Sequence, residues 1–220
     1  MIKKLIKTRR LQITILLFLF SMFCFHLFIF RVIYTGTFEF RFLNWNLFLA
    51  FIPWLLSSII ILKDLQVNKF LLSLLIIVWI LFLPNSPYML TDLFHLSTSS
   101  SAPIWYDLVL ILSYAGTGLL FGFMSLIDLE KILSSFFSKG KVIFITISFL
   151  FLSGFGIYIG RFLRWNSWDV INNPVPLFSD IIHRFANPLT HPRSWGLTIL
   201  LGILLNLLYF SFKFIKVPKD

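Results

Sequence analysis

Six long apolar runs separated by short polar stretches set the pattern of this chain. They extend from Leu11 to Phe30, Asn44 to Leu62, Phe70 to Leu83, Ile104 to Ile127, Val142 to Gly160 and Trp195 to Phe212. A helix of about 20 apolar residues crosses a hydrocarbon core about 30 Å thick. Most of these runs are hydrophobic on every face, as contact with lipid requires. The pattern predicts an all-α, polytopic helical membrane protein: about six transmembrane helices in a single integral-membrane domain over residues 1–220, with the lipid bilayer as its first partner. The first run is longer than a signal-peptide core, and no small-x-small cleavage pattern comes after it, so it reads as a retained helix. "STSSSAP", Ser97 to Pro103, is the one linker-like piece.

The third run is short, and a polar stretch comes directly after it. Beyond fourteen apolar residues, Phe70 to Leu83, the chain reads "PNSPYMLTDLFHL". Pro84 cannot donate to a helical ladder and clashes with the preceding turn. An interruption is expected at Pro84–Ser86, and then a short interfacial helix from about Pro87 to Leu96 with Ser86 as its cap. In that helix Tyr88, Asp92 and His95, spaced by four and three, project from one side.

A second polar stretch, "GFGIYIGRFLRWNSWDV", closes the fifth run. Gly156 and Gly160 make a small-xxx-small pattern that permits close approach of a neighbouring helix. Continued helically, Arg161, Arg164 and Trp168 share a face bordered by Trp165 and Asp169. Asp107 lies one turn into the fourth run, where an unpaired carboxylate is costly. Arg161 or Arg164 is therefore expected to pair with Asp92 or Asp107.

Composition agrees with the runs: 58% of residues are hydrophobic and only 13% charged. Charge sets the orientation. Of the nineteen Lys and Arg, thirteen fall in segments on the N-terminal side, including Lys3, Lys4, Lys7, Arg9, Arg10, Lys216 and Lys219. The other six, all arginine, fall on the opposite side: Arg31, Arg41, Arg161, Arg164, Arg184 and Arg193. An excess of basic residues marks the cytoplasmic side. Both termini are expected in the cytoplasm, the protein residing in the cell's inner membrane. The net charge of +10 is a topology signal and implies no nucleic-acid partner. The lone Cys24 permits no intramolecular disulfide.

"WNLFLAFIPWLL", "LFLPNSPYMLTDLFHL", "IWYDLVLILSYAGTGLLFGF", "GFGIYIGRFLRWNSWD" and "HPRSWGLTILLGILLNLLY", in that order, resemble the bacterial integral-membrane family catalogued as domain of unknown function thirteen-sixty-one. The resemblance runs from about Asn44 to Tyr209. It implies a bacterial multi-pass membrane protein and supplies no reaction.

Three functions compete. An enzyme acting on a lipid headgroup or envelope precursor at the outer leaflet would use His95 as base or metal ligand, with Asp92 or Asp107 orienting it. Asn85, Tyr88, Arg161, Arg164, Asn166, Trp168 and Asp169 would bind the ligand. His95, His183 and His191 with Asp92, Asp169 and Asp180 lack a paired metal-ligand motif, so no metal ion is assigned, and the residues specify no cofactor and no oligomeric state. A transporter would need charges along a path across the bilayer, yet only His26 lies deep in a run, where it reads as a hydrogen-bonded residue of the helix bundle. An assembly or scaffold protein would use the same ion pairs to fix its fold.

Overall fold

All six apolar runs become helices, and most outrun their apolar stretch. The structure, a computed structural model, describes residues 2–63, 68–97 and 101–216, with side chains from Arg9 to Ile215. Thr98–Ser100 of the serine-rich piece and Lys219 lie outside the described residues, as do the side chains of Lys3, Lys4, Lys7 and Lys216. The chain forms α1 (Ile2–Thr35), α2 (Phe42–Leu62), α3 (Lys69–Phe82), α4 (Asn85–Tyr88), a 3-10 segment (Met89–His95), α5 (Ile104–Leu133) and α6 (Lys139–Phe162). It then forms α7 (Asp169–Asn172), α8 (Pro174–Ala186) and α9 (Pro192–Lys216), and no strand occurs among the described residues. Six helices are long and apolar enough to cross a membrane, the third counted from Lys69 to His95. Backbone groups must bond internally well into the interfacial zone, so helices continue past the last apolar residue.

The interruption after the third run falls at Leu83–Pro84, earlier than expected. Asn68 caps α3, its Oδ1 accepting from the Leu71 N–H at 3.1 Å. The chain re-enters helix at Asn85, with Pro84 in the cap position and no side-chain cap. Ser86 does not serve as that cap. Its buried hydroxyl donates to the Ala50 carbonyl of α2 at 3.2 Å. From Met89 to His95 the helix tightens to 3-10 winding, in which residues three apart eclipse, so Asp92 and His95 stack on one edge.

This broken segment lies inside the bundle, flanked by glycines of two helices. A Cβ on Gly122 of α5 would stand 2.7 Å from the Ser86 Cβ, and one on Gly156 of α6 would stand 2.7 Å from Pro84. The small-xxx-small pattern of α6 therefore admits the broken segment. Gly156→Ala is expected to lower stability by about 1–3 kcal/mol through overpacking. Thermal melting in detergent measures it, with Gly140→Ala, where nothing lies within 4 Å, as the unchanged control.

α5 is the central helix, with Leu110, Ile111, Tyr114, Leu126, Leu129 and Ile132 essentially inaccessible. α1 runs antiparallel to it and is tied to it at both ends. Arg31 Nε donates to Asp107 Oδ1 at 2.7 Å, and Arg10 Nη1 donates to Asp128 Oδ2 at 2.9 Å. Equal numbers of residues separate Arg10 from Arg31 and Asp107 from Asp128, about 30 Å of helix. That matches the thickness of a hydrocarbon core. At the Arg10 end, Glu130 also holds Lys213 Nζ at 2.5 Å and accepts from Thr146 at 3.0 Å, so α1, α5, α6 and α9 meet there. His26 is on the outer surface of α1 rather than packed in the bundle, its Nδ1 2.7 Å from the Met22 carbonyl.

Candidate functional site

At the end of the bundle opposite Arg10, the last turn of α6 delivers Arg161 to the 3-10 segment. Its Nε donates to Thr91 Oγ1 at 2.9 Å and its Nη2 pairs with Asp92 Oδ1. Nη1 lies 3.0 Å from His95 Nε2, and the guanidinium carbon sits 4.4 Å from the Tyr88 ring centroid. Arginine only donates, so His95 Nε2 must accept and the ring proton resides on Nδ1. Asp92 is 1% exposed, and its other oxygen accepts from Asn46 Nδ2 of α2 at 3.1 Å. One guanidinium thus gathers Tyr88, Thr91, Asp92 and His95, and the expected Arg161–Asp92 pair forms.

Arg164 stands apart, and the reason is where α6 stops. The helix ends at Phe162, so Arg161, Arg164 and Trp168 share no helical face. Arg164 takes the left-handed conformation (φ 61°) that closes a helix C-terminus, and the Trp165 N–H reaches back to the Ile159 carbonyl at 3.3 Å. Its side chain is exposed. The loop beyond it folds onto the broken segment. Asn85 Nδ2 donates to Ser167 Oγ and to the Phe82 carbonyl, both at 3.0 Å, and Ser167 donates to the Leu81 carbonyl at 3.1 Å. Asp169 caps its own turn, accepting from the Asn166 N–H at 2.7 Å. Trp168 meets Trp45 edge-on at 6.1 Å.

Asp107 belongs to a different cluster. It and Arg31 are both wholly buried, and Arg31 also reaches Glu39 at 2.5 Å and Thr37 at 3.3 Å. Sequence reasoning missed Arg31 as the partner, along with Asp128 and Glu130. Acids placed at both ends of one long helix were the signal.

Beside the Arg161 cluster lies a cavity of about 330 Å³, within the range of small-molecule sites. Its walls are apolar, among them Leu49, Ile80, Leu81, Leu152 and Ile159. Its polar rim is Asn46, Asn85, Tyr88, Asn166 and Ser167. Trp79 and Phe149 bring α3 and α6 together, ring centroids 5.5 Å apart. Leu177, Ile181 and Phe185 of α8 cover another side.

His183 and His191 form a separate pair, Nδ1 to Nε2 at 2.8 Å, and among the described residues no three His, Cys, Asp or Glu gather as a metal site. Desolvation, then the charges of Arg184 and His183, hold the His191 imidazole below its ordinary value, with Asp180 opposing. The folded chain thus favours neutral His191. Its contribution is complete above the ordinary histidine value near 6.5 and is lost as pH falls through the lowered one. Trp195, whose Nε1 donates to the Arg184 carbonyl at 3.2 Å, reports on this corner. Its fluorescence is expected to change between about pH 7 and pH 5, and His191→Gln is expected to remove the change.

The fold and these clusters define a multi-pass helical membrane protein with a polar network and a cavity at one end. The chain belongs to the family described as "Protein of unknown function (DUF1361)", whose model matches residues 45–208, α1 lying outside the match. No curated protein and no solved structure matches it.

Proposed function

We propose that the protein binds an amphiphilic envelope molecule, by a lipid headgroup or the polar part of a lipid-linked precursor, at the outer face of the cytoplasmic membrane. The cavity carries this reading. It has apolar walls on α3 and α6 at bilayer depth and a rim of neutral hydrogen-bonding groups toward the membrane boundary. The outer placement rests on the excess of basic residues at the other end.

Catalysis fits less well. Asp92 is engaged by Arg161 and Asn46, and the basic lone pair of His95 is spent on Arg161. Neither is free to take a proton until that network opens. Transport fits less well still, since the buried ion pairs stand at the two membrane boundaries and His26 faces outward. The Arg161 cluster acts as a fixed scaffold that holds Tyr88 and Asn46 at the rim.

The test uses a phospholipid with a photoactivatable diazirine in its acyl chain, added to the reconstituted protein. Crosslinks are expected at Leu81, Leu152 and Ile159, and Leu152→Trp, which fills the cavity, is expected to abolish them. Labelling spread evenly over α1 and α9, unchanged by Leu152→Trp, would favour the scaffold reading.

A further inference from the structure

Between α6 and α9 the chain makes a helix that belongs to none of the six spans. α8 has thirteen residues, about 20 Å, too short to cross a bilayer. It leaves α6 and enters α9 at the same end of the bundle, so it lies at that membrane boundary. Proline at its first turn starts it, and Arg184 near its C-terminus bonds back to Asp180 at 3.2 Å.

The circumference of α8 divides into three arcs at about 100° per residue. Leu177, Ile181 and Arg184 face the protein. Leu177 and Ile181 line the cavity, and the Arg184 guanidinium lies 5.8 Å from the Tyr158 ring. Ser179, Asp180 and His183 form a polar arc. Val175, Phe178 and Ile182 form the third, a sector of about 60°, and all three are exposed. Ile171 (82% exposed) and Leu189 (93% exposed), in the short turns that flank the helix, add exposed apolar side chains at its two ends.

Phe185, next to this stripe, packs on Phe155 of α6 at 5.2 Å and on Trp195 of α9 at 4.9 Å. The exposed Ile199 and Leu200 of α9 continue the same apolar surface down that span. The stripe is therefore continuous with the belt that six membrane-spanning helices turn to lipid.

From this we infer that α8 is an interfacial helix. It lies in the plane of the membrane at the Arg161 end, with Val175, Phe178 and Ile182 inserted among acyl chains and Ser179 and His183 in water. An amphipathic helix placed this way sits about 5–10 Å into the headgroup and acyl boundary. Insertion fixes the height of the helix that covers the cavity. The inference does not depend on what the cavity binds, nor on which leaflet is the outer one.

Single cysteines at Val175, Phe178, Ile182, Ser179 and His183 carry the test, because the native Cys24 is buried and escapes labelling. Nitroxide labels are attached and the full chain is reconstituted in phosphatidylglycerol and phosphatidylethanolamine vesicles. Labels at 175, 178 and 182 are expected to be relaxed by oxygen far more than by a water-soluble nickel chelate. Labels at 179 and 183 are expected to show the reverse. The wild-type chain gives a second measurement: a small hydrophobic diazirine reagent is expected to modify the peptide that carries Phe178. Chelate access at all five positions would overturn the inference, as would shielding of 175, 178 and 182 from both reagents, which would mean a protein partner covers the stripe.

Discussion

Replacing Arg31 with Met is expected to unfold a large share of the protein in detergent, at a cost of about 3–5 kcal/mol. Asp107 and Arg31 are both fully buried, and the guanidinium also holds Glu39 and packs 4.6 Å from the Phe40 ring centroid. Removing the cation leaves a carboxylate with neither water nor full charge compensation. The expense comes from burying the acid without its cation more than from the lost attraction. The double variant Arg31→Met with Asp107→Leu is therefore expected to recover most of the loss, since a buried pair replaced by apolar groups is often neutral. Thermal melting of the two variants against wild type decides it. Equal destabilisation by single and double variants would mean that Arg31 works through Glu39 and Phe40 instead.

Arg161→Ala is expected to be the other severe substitution, at about 3 kcal/mol or more. It strips Asp92 of its cation and leaves the Thr91 hydroxyl, His95 and the Tyr88 ring without their common partner. His95→Ala should behave differently, because that ring is exposed and adds to its bond with Arg161 a ring contact with Phe42 at 4.9 Å. It should leave folded protein close to wild-type abundance. A comparable loss of protein from both variants, measured by fluorescence-detected gel filtration, would show that His95 is part of the scaffold.

The spans were legible because lipid contact demands uninterrupted apolar length, which composition cannot disguise. The break was legible for a covalent reason: Pro84 lacks an N–H. Its position was misjudged by a residue or two because Ser86, which has the chemistry of a cap, is occupied by the Ala50 carbonyl. The Arg161–Asp92 pair was foreseeable from the cost of an unpartnered acid. The same argument applied to Asp107, but nothing in the sequence says which helix supplies the cation. Arg31 had been counted only as a boundary charge. Arg164 was misplaced because helical spacing was extended past the residue where the backbone turns left-handed. α8 was missed, being too short to read as a span, although Val175, Phe178, Ile182 and Phe185 carry helical spacing. The cavity had no sequence signature at all, since it exists only where α2, α3, α6 and α8 fail to close.

Native mass spectrometry tests most directly whether that cavity holds an amphiphile. The protein is purified from membranes, released from detergent and weighed with the molecules that stay bound. Wild type is expected to retain one amphiphile per chain, and Leu152→Trp, folded and melting within a few degrees of wild type, is expected to retain none. Equal retention by the two proteins, or none by either, would contradict the assignment of the cavity as the binding site.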